Sequence, residues 1–215
     1  MKKAIKYLLV VFMIVLCVGC SNSESKKEEK LMSGKVNVEI DVKDYGKIDL
    51  ELDADTAPIT VTNFVNLVND GFYDGLTFHR IMKGFMIQGG DPKGDGTGGS
   101  SKTIKGEFSS NGVENNISHK RGVISMARSQ DVDSASSQFF IVHEDSTFLD
   151  GQYAAFGKVT DGMKVVDKIA EKAEPTDDNG TIPKENQPII TSIKVIKETK
   201  KEREEELKWT PNSSQ

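Results

Sequence analysis

The sequence predicts an all-β fold that carries two helices. Three observations point to it. Apolar residues alternate with polar ones through Val36, Val38, Ile40 and Val42, and again through Ile48, Leu50 and Leu52, with Asp44-Tyr45-Gly46 between the two runs. That is the pattern of a β-hairpin with one buried face. Nineteen glycines and six prolines in 215 residues supply many tight turns, which suits short strands better than disorder. Two stretches, 57–71 and 163–173, switch to helical spacing instead.

In the first helix Pro58 suits the opening turn and Gly71 the end. Val61, Phe64, Val65 and Val68 form one apolar face, which is core packing. From Phe78 to Gly90 the chain is extended again. Phe78, Arg80 and Met82 alternate onto one face, and His79, Ile81 and Lys83 onto the other. Gly84 breaks the run, and Phe85–Gln88 reads as a second short strand. Residues 89–101 are glycine-rich. Gly94, Gly96 and Gly99 formally match a dinucleotide fingerprint, but no βαβ unit surrounds them, so a turn-rich loop accounts for them. Met163–Ala173 reads as the second helix, with Val165, Val166 and Ile169 inward. Glu174–Pro188 reads as a polar loop, and Ile189–Val195 as the closing strand.

The two ends differ from the middle. Lys2, Lys3 and Lys6 precede an apolar run from Tyr7 to Val18. A basic start followed by a short apolar stretch is the layout of a secretory signal peptide, assigned to residues 1–19. The run is shorter than the roughly 20 residues that span about 30 Å of hydrocarbon. Val18-Gly19-Cys20 resembles a bacterial lipobox, with Cys17 where that pattern prefers Leu. This resemblance implies lipidation of Cys20 and a place on the extracytoplasmic face of the cell membrane. Cys17 and Cys20 are the only cysteines, so the exported domain is expected to fold without a disulfide. Residues 20–33 read as the lipidated cysteine and a flexible tether, 34–197 as the domain, and 198–215 as a charged tail containing the single Trp209.

The formal net charge is −5, which argues against a nucleic-acid partner. His79, His119 and His143 are far apart and lack ligand-like spacing with carboxylates, so neither a metal nor a cofactor is expected. A monomer is expected.

Three blocks carry the chemistry: Phe78–Gly90; Gly122–Ser129 followed by Ser136–Ile141; and Phe148–Val159. Together and in this order they resemble the cyclophilin family of peptidyl-prolyl cis/trans isomerases, over roughly Gly34 to Lys197. The resemblance implies a closed eight-stranded antiparallel barrel capped by two helices. It implies Arg80 as the catalytic residue. Phe85, Met86, Phe140 and Leu149 would line a proline pocket, and Gln88, with Gln138 beside it, would bond the substrate backbone. Ala127 and the backbone at Arg128 would hold the residue before proline, with Phe148 and Tyr153 at the margin of the site; His79 matches a position near the site and reads equally as a satisfied, buried core imidazole. Phe148 and Tyr153 stand where the best-known eukaryotic pattern has Trp and His. An indole N–H is thereby missing, and weaker binding of cyclosporin-like inhibitors is expected.

The residue types suit that chemistry. An X–Pro bond turns over a barrier of ~18–20 kcal/mol, because the amide nitrogen lone pair is delocalised. A catalyst must favour the twisted imide, whose nitrogen is free to accept a hydrogen bond. Arg is always charged and presents a planar fork of donors. The expected partners are proline-containing segments of exported proteins. Two rival readings are a chaperone that holds such segments with incidental isomerase activity, and a solute-binding lipoprotein, for which the chain is small.

Overall fold

The computed structural model describes residues 30–196. The signal segment, Cys20, most of the tether and the tail with Trp209 lie outside the described residues.

Eight strands and two α-helices follow in the order β1 (Lys35–Val42), β2 (Gly46–Asp53), α1 (Pro58–Asn69), β3 (Phe78–Met82), β4 (Met86–Gly89), β5 (Val123–Met126), β6 (Phe139–Val142), β7 (Ala155–Asp161), α2 (Met163–Lys172) and β8 (Ile190–Ile196). The expected hairpin is present: β1 and β2 pair antiparallel, with Val42 opposite Gly46. Asp44 and Gly46 take positive φ in its turn, which short polar residues and glycine tolerate best. Pro58 opens α1, as its fixed φ and missing N–H favour. Both helices fall within about two residues of expectation.

All pairings between the strands are antiparallel, in the order β3-β4-β6-β5-β7-β2-β1-β8. The expected closed barrel is corrected here. The ladder stops at β3 and β8, which share only the isolated bridge Thr77↔Ile189 across their ends. The segment before β8 occupies the rest of the gap: Gly180 and Thr181 pair with β3 in place of a strand, Ile81 N–H donating to the Gly180 carbonyl at 2.8 Å. The barrel is therefore open along one seam, with a loop filling it.

One core fills the concave side. Phe64 of α1 meets Tyr73, Phe139 and Phe156 at ring-centroid distances of 5.1, 5.5 and 5.3 Å. Ile40, Leu50, Ile87, Ile124 and Ile141 are buried around them. The opposite face of β4, β5 and β6 carries a second, smaller apolar cluster of Met86, Val123, Phe140 and Val142, with Leu149 and Ala155. Strand alternation makes both: on β6, Phe139 and Ile141 enter the core, while Phe140 and Val142 face outward into the second cluster.

Candidate functional site

The site stands on that second cluster. A register shift separates Phe78 from Arg80 in the β3–β4 pairing. Phe78 consequently joins Ile81 in the core, while Arg80 and Met82 face the small cluster. Simple alternation had placed Phe78 and Arg80 on one face, and the extra residue of the bulge separates them. The β3–β4 turn returns at Gly84, whose φ is +83°. Phe85 lies in this turn, with β4 beginning at Met86.

Nine of the expected residues line one cavity of about 200 Å³: Arg80, Phe85, Met86, Gln88, Ala127, Arg128, Phe140, Leu149 and Tyr153. Its floor is apolar, and Phe140 and Tyr153 meet edge to face at 5.9 Å. Phe148 is not among the lining residues. It is 66% exposed and packs on Phe85 at 5.5 Å, extending the apolar rim outward.

Arg80 is held on three sides. Its Nε–H donates to the Asn179 carbonyl at 2.7 Å, and Nη1 donates to Gln88 Oε1 at 3.1 Å. It also meets two thioethers, Met82 Sδ at 3.1 Å from Nη2 and Met86 Sδ at 3.8 Å from Nη1, and its guanidinium carbon lies 5.9 Å from the Phe85 ring centroid. Burial lowers its pKa from the ordinary value, opposed by Tyr153 and Asp177, and a guanidinium starts so high that it stays cationic. Gln88 Nε2 passes the chain on to Gln138 Oε1 at 2.9 Å, and Gln138 Nε2 donates to the carbonyls of Gly98 and Gly96 at 2.7 and 3.1 Å.

Those two carbonyls belong to the glycine-rich loop, and a buried carboxylate shapes it. Asp91 accepts the amides of Lys93, Asp95 and Gly96 at 2.8, 3.2 and 2.6 Å. Burial alone would raise its pKa, but the backbone donors, Gly98 among them, outweigh it and hold the group low. The loop walls a second cavity of about 300 Å³, which shares Gln88, Ala127 and Arg128 with the first and includes Gln138. Arg128 stands at the junction. Its guanidinium lies 4.7 Å from the Tyr153 ring centroid and 5.2 Å from that of Phe108. Nη2 and Nε donate to the Gln152 carbonyl at 2.9 and 3.0 Å.

His79 is placed elsewhere. The residue is 3% exposed, and it contributes to a cavity on the other side of Arg80 with Asp95 and Asn179. Both ring nitrogens are buried without a hydrogen-bond partner. Burial lowers its pKa, with Asp91 opposing, so the imidazole is neutral near pH 7.

Three features escaped the sequence reading. Asn179 reaches Arg80 from 99 residues away through a backbone carbonyl, which no side-chain pattern announces. Met82, which alternation does put on the Arg80 face, supplies a sulfur to the guanidinium, a contact that alternation alone does not assign. Beneath the cavity, His119 Nδ1 lies 2.9 Å from Asp150 Oδ1 and Nε2 lies 3.0 Å from Ser125 Oγ. This order resembles a nucleophilic triad, but Ser125 is fully buried and meets no substrate. The His119 ring is stacked on Phe140 at 6.0 Å, so the arrangement props the cavity floor. Among the described residues, no group of three or more His, Cys, Asp or Glu is placed to hold a metal ion.

Residues 36–195 match the family described as cyclophilin type peptidyl-prolyl cis-trans isomerase/CLD. The chain is 50% identical over 123 residues to a peptidyl-prolyl cis-trans isomerase B of Bacillus subtilis, covering 57% of this chain and 82% of that protein. It is 45% identical over 165 residues to a peptidyl-prolyl cis-trans isomerase A of Dickeya dadantii, covering 71% and 80%. A Cryptosporidium parvum cyclophilin-type isomerase, solved in the presence of the dipeptide Ala-Pro, superposes with a TM-score of 0.66 at 31% identity, covering 75% of this chain and 99% of that one.

Proposed function

This chain belongs to the cyclophilin-type peptidyl-prolyl cis-trans isomerases and is an enzyme of that class, and we propose that Arg80 and the cavity beside it carry out the isomerisation. The observation that carries the assignment is a half-buried guanidinium, fixed by Asn179 and Gln88, at the wall of an apolar cavity.

The proline ring enters over Phe140, Met86 and Leu149, and the apolar walls hold it still. The residue before proline then turns relative to the ring, so the enclosure converts free rotation into rotation about one bond. As the imide twists, its nitrogen regains a lone pair, and a guanidinium N–H donates to it. The two thioether contacts suit this step. Sulfur is a weak acceptor, so the protons facing Met82 and Met86 exchange it for substrate at little cost. Strong partners hold Nε and one side of Nη1, while weak ones leave the reactive edge available.

Magnitudes require both parts. A charge-assisted bond contributes about 1.5–3 kcal/mol, or roughly ten- to a hundred-and-fifty-fold in rate. The rest comes from the pocket's immobilisation of the ring and the exclusion of water from the imide. Gln88 and Gln138 align the substrate backbone, Ala127 and Arg128 hold the residue before proline, and Tyr153 and Phe148 form the rim. His79 enters only through its neighbour, as packing behind Arg80.

The substrates are proline-containing segments of exported proteins, met at the outer face of the cell membrane. The support is the sequence alone: the basic start, the apolar run and Val18-Gly19-Cys20. Two acyl chains or more, at about 0.8 kcal/mol per buried methylene, anchor stably where one chain does not. The whole protein, produced in a bacterial host and analysed by mass spectrometry, should begin at a diacylglyceryl-modified Cys20. A Cys20→Ser variant should leave the membrane fraction, and an unmodified wild-type N-terminus would rule the anchor out. The holdase alternative predicts that protection of an aggregating client survives in Arg80→Ala; the isomerase reading predicts that acceleration of a proline-limited refolding phase is lost.

A further inference from the structure

The loop that fills the open seam of the barrel does more than connect α2 to β8. We propose that the turn Asp177–Thr181 is a positioning element for Arg80, acting through the Asn179 carbonyl, and that the Asp177 carboxylate sets it. The proposal rests on the assignment of Arg80 as the donor to the imide.

The geometry is closed on all sides. Asp177 Oδ1 accepts the Thr181 amide at 3.0 Å, and the Gly180 amide donates to the Asp177 carbonyl at 3.1 Å. Thr176 N–H donates to the Thr181 carbonyl at 2.9 Å. This tight turn is pinned to β3 by Ile81 N–H on the Gly180 carbonyl at 2.8 Å, and by Ile182 N–H on the His79 carbonyl at 3.0 Å. Gly180 sits at φ +86°, where a Cβ would come 2.7 Å from the Ile81 carbonyl oxygen. A turn fixed this closely on both sides of Arg80 leaves the Asn179 carbonyl one direction, toward Nε.

The consequence is directional. An Arg side chain carries about 2 kcal/mol of rotamer freedom. With Nε tied to Asn179, the plane of the guanidinium is set by the loop, and Gln88 sets its rotation within that plane. The edge bearing Nη1 and Nη2 then faces the cavity. Asp177 adds a field: its carboxylate is among the groups that hold the Arg80 pKa up against burial. The Asp177 pKa is itself lowered, chiefly by the Thr181 backbone donor, so the turn keeps its charge at neutral pH.

Asp177 is exposed, so Asp177→Ala should fold. Its effect is read by two independent measurements on the same sample. Peptide isomerisation should show kcat lowered about tenfold with KM within about twofold, the size of one misdirected hydrogen bond. The Arg80 Nε–H resonance, protected from exchange in the wild type by its bond to Asn179, should exchange rapidly in the variant. Asp177→Asn keeps the Oδ1 acceptor and should restore most of both. A fall in kcat with an unchanged Nε–H resonance would assign the turn a merely structural role and overturn the proposal, as would unchanged kcat in Asp177→Ala. Arg80→Ala tests the underlying donor assignment separately, since the resonance does not depend on turnover.

Discussion

Replacing Gln88 by Met removes one link from the chain that runs from Arg80 to the glycine-rich loop while keeping nearly the same volume. The wild-type side chain accepts from Arg80 Nη1 at 3.1 Å and donates to Gln138 at 2.9 Å. Both bonds vanish in Gln88→Met. Arg80 keeps its tie to Asn179 but loses the partner that fixes its rotation, so the donor no longer meets the imide nitrogen in the twisted state. The forfeited interaction is charge-assisted, about 1.5–3 kcal/mol, and its loss lowers kcat by roughly ten- to a hundred-and-fifty-fold. The neutral bond to Gln138 adds a stability cost of about 1 kcal/mol, which is roughly 2–4 °C in Tm for a domain of this size. Line-shape or exchange NMR on a short X-Pro peptide reads the first effect, and thermal unfolding reads the second. A variant with kcat within about twofold of wild type, still binding the peptide, would refute the claim that Arg80 acts as an oriented donor rather than as a nearby charge.

Three further outcomes follow from the same geometry. Gly98→Ala places a Cβ on Asp91 Oδ1 and displaces the carbonyl that holds Gln138; urea unfolding should show a loss of about 1–3 kcal/mol, and an unchanged midpoint would contradict the packing. His79 and His119 both have pKa values lowered by burial, so the unfolded chain binds more protons than the folded one just below pH 6.5. Their contribution is complete above about pH 6.5 and is lost as pH falls toward the folded-state values. Tm should therefore drop between pH 7 and 5, and His79→Leu should flatten that slope; an equally steep slope would show that His79 is not buried as the neutral form. Phe148→Trp adds an indole N–H at the exposed rim, and titration calorimetry with a cyclosporin-like ligand should show binding about two- to tenfold tighter, the worth of one neutral hydrogen bond.

What was legible in the sequence was what one face or one turn decides by itself. The alternation of Val36–Val42 against Ile48–Leu52 gave the β1–β2 hairpin, and Pro58 gave the start of α1, because these signals are local. Of the nine expected residues that meet in one cavity, strand alternation places Met86 and Gln88 on β4 and Phe140 on β6, while Arg80 comes from β3 and the rest from the segments between strands. The failures are non-local. The bulge that separates Phe78 from Arg80 depends on how β3 registers against β4. The open seam depends on where Gly180 and Thr181 lie. The clasp on Nε is a backbone carbonyl, and backbone groups are the same in every sequence. His79 was grouped with the site by the family resemblance, although alternation set it on the face opposite Arg80, and it lines a neighbouring cavity that Arg80 and Gln88 share.

The proposed catalysis depends on the Arg80 guanidinium. Exchange of the cis and trans forms of one X-Pro peptide should be measured with wild type, Arg80→Lys and Arg80→Ala, all confirmed folded by their unfolding transitions. The predicted result is rapid exchange with wild type and a loss of at least about tenfold in both variants, since Lys keeps the charge but not the fork. Undiminished exchange in Arg80→Ala would contradict the account and place the catalysis elsewhere in the cavity.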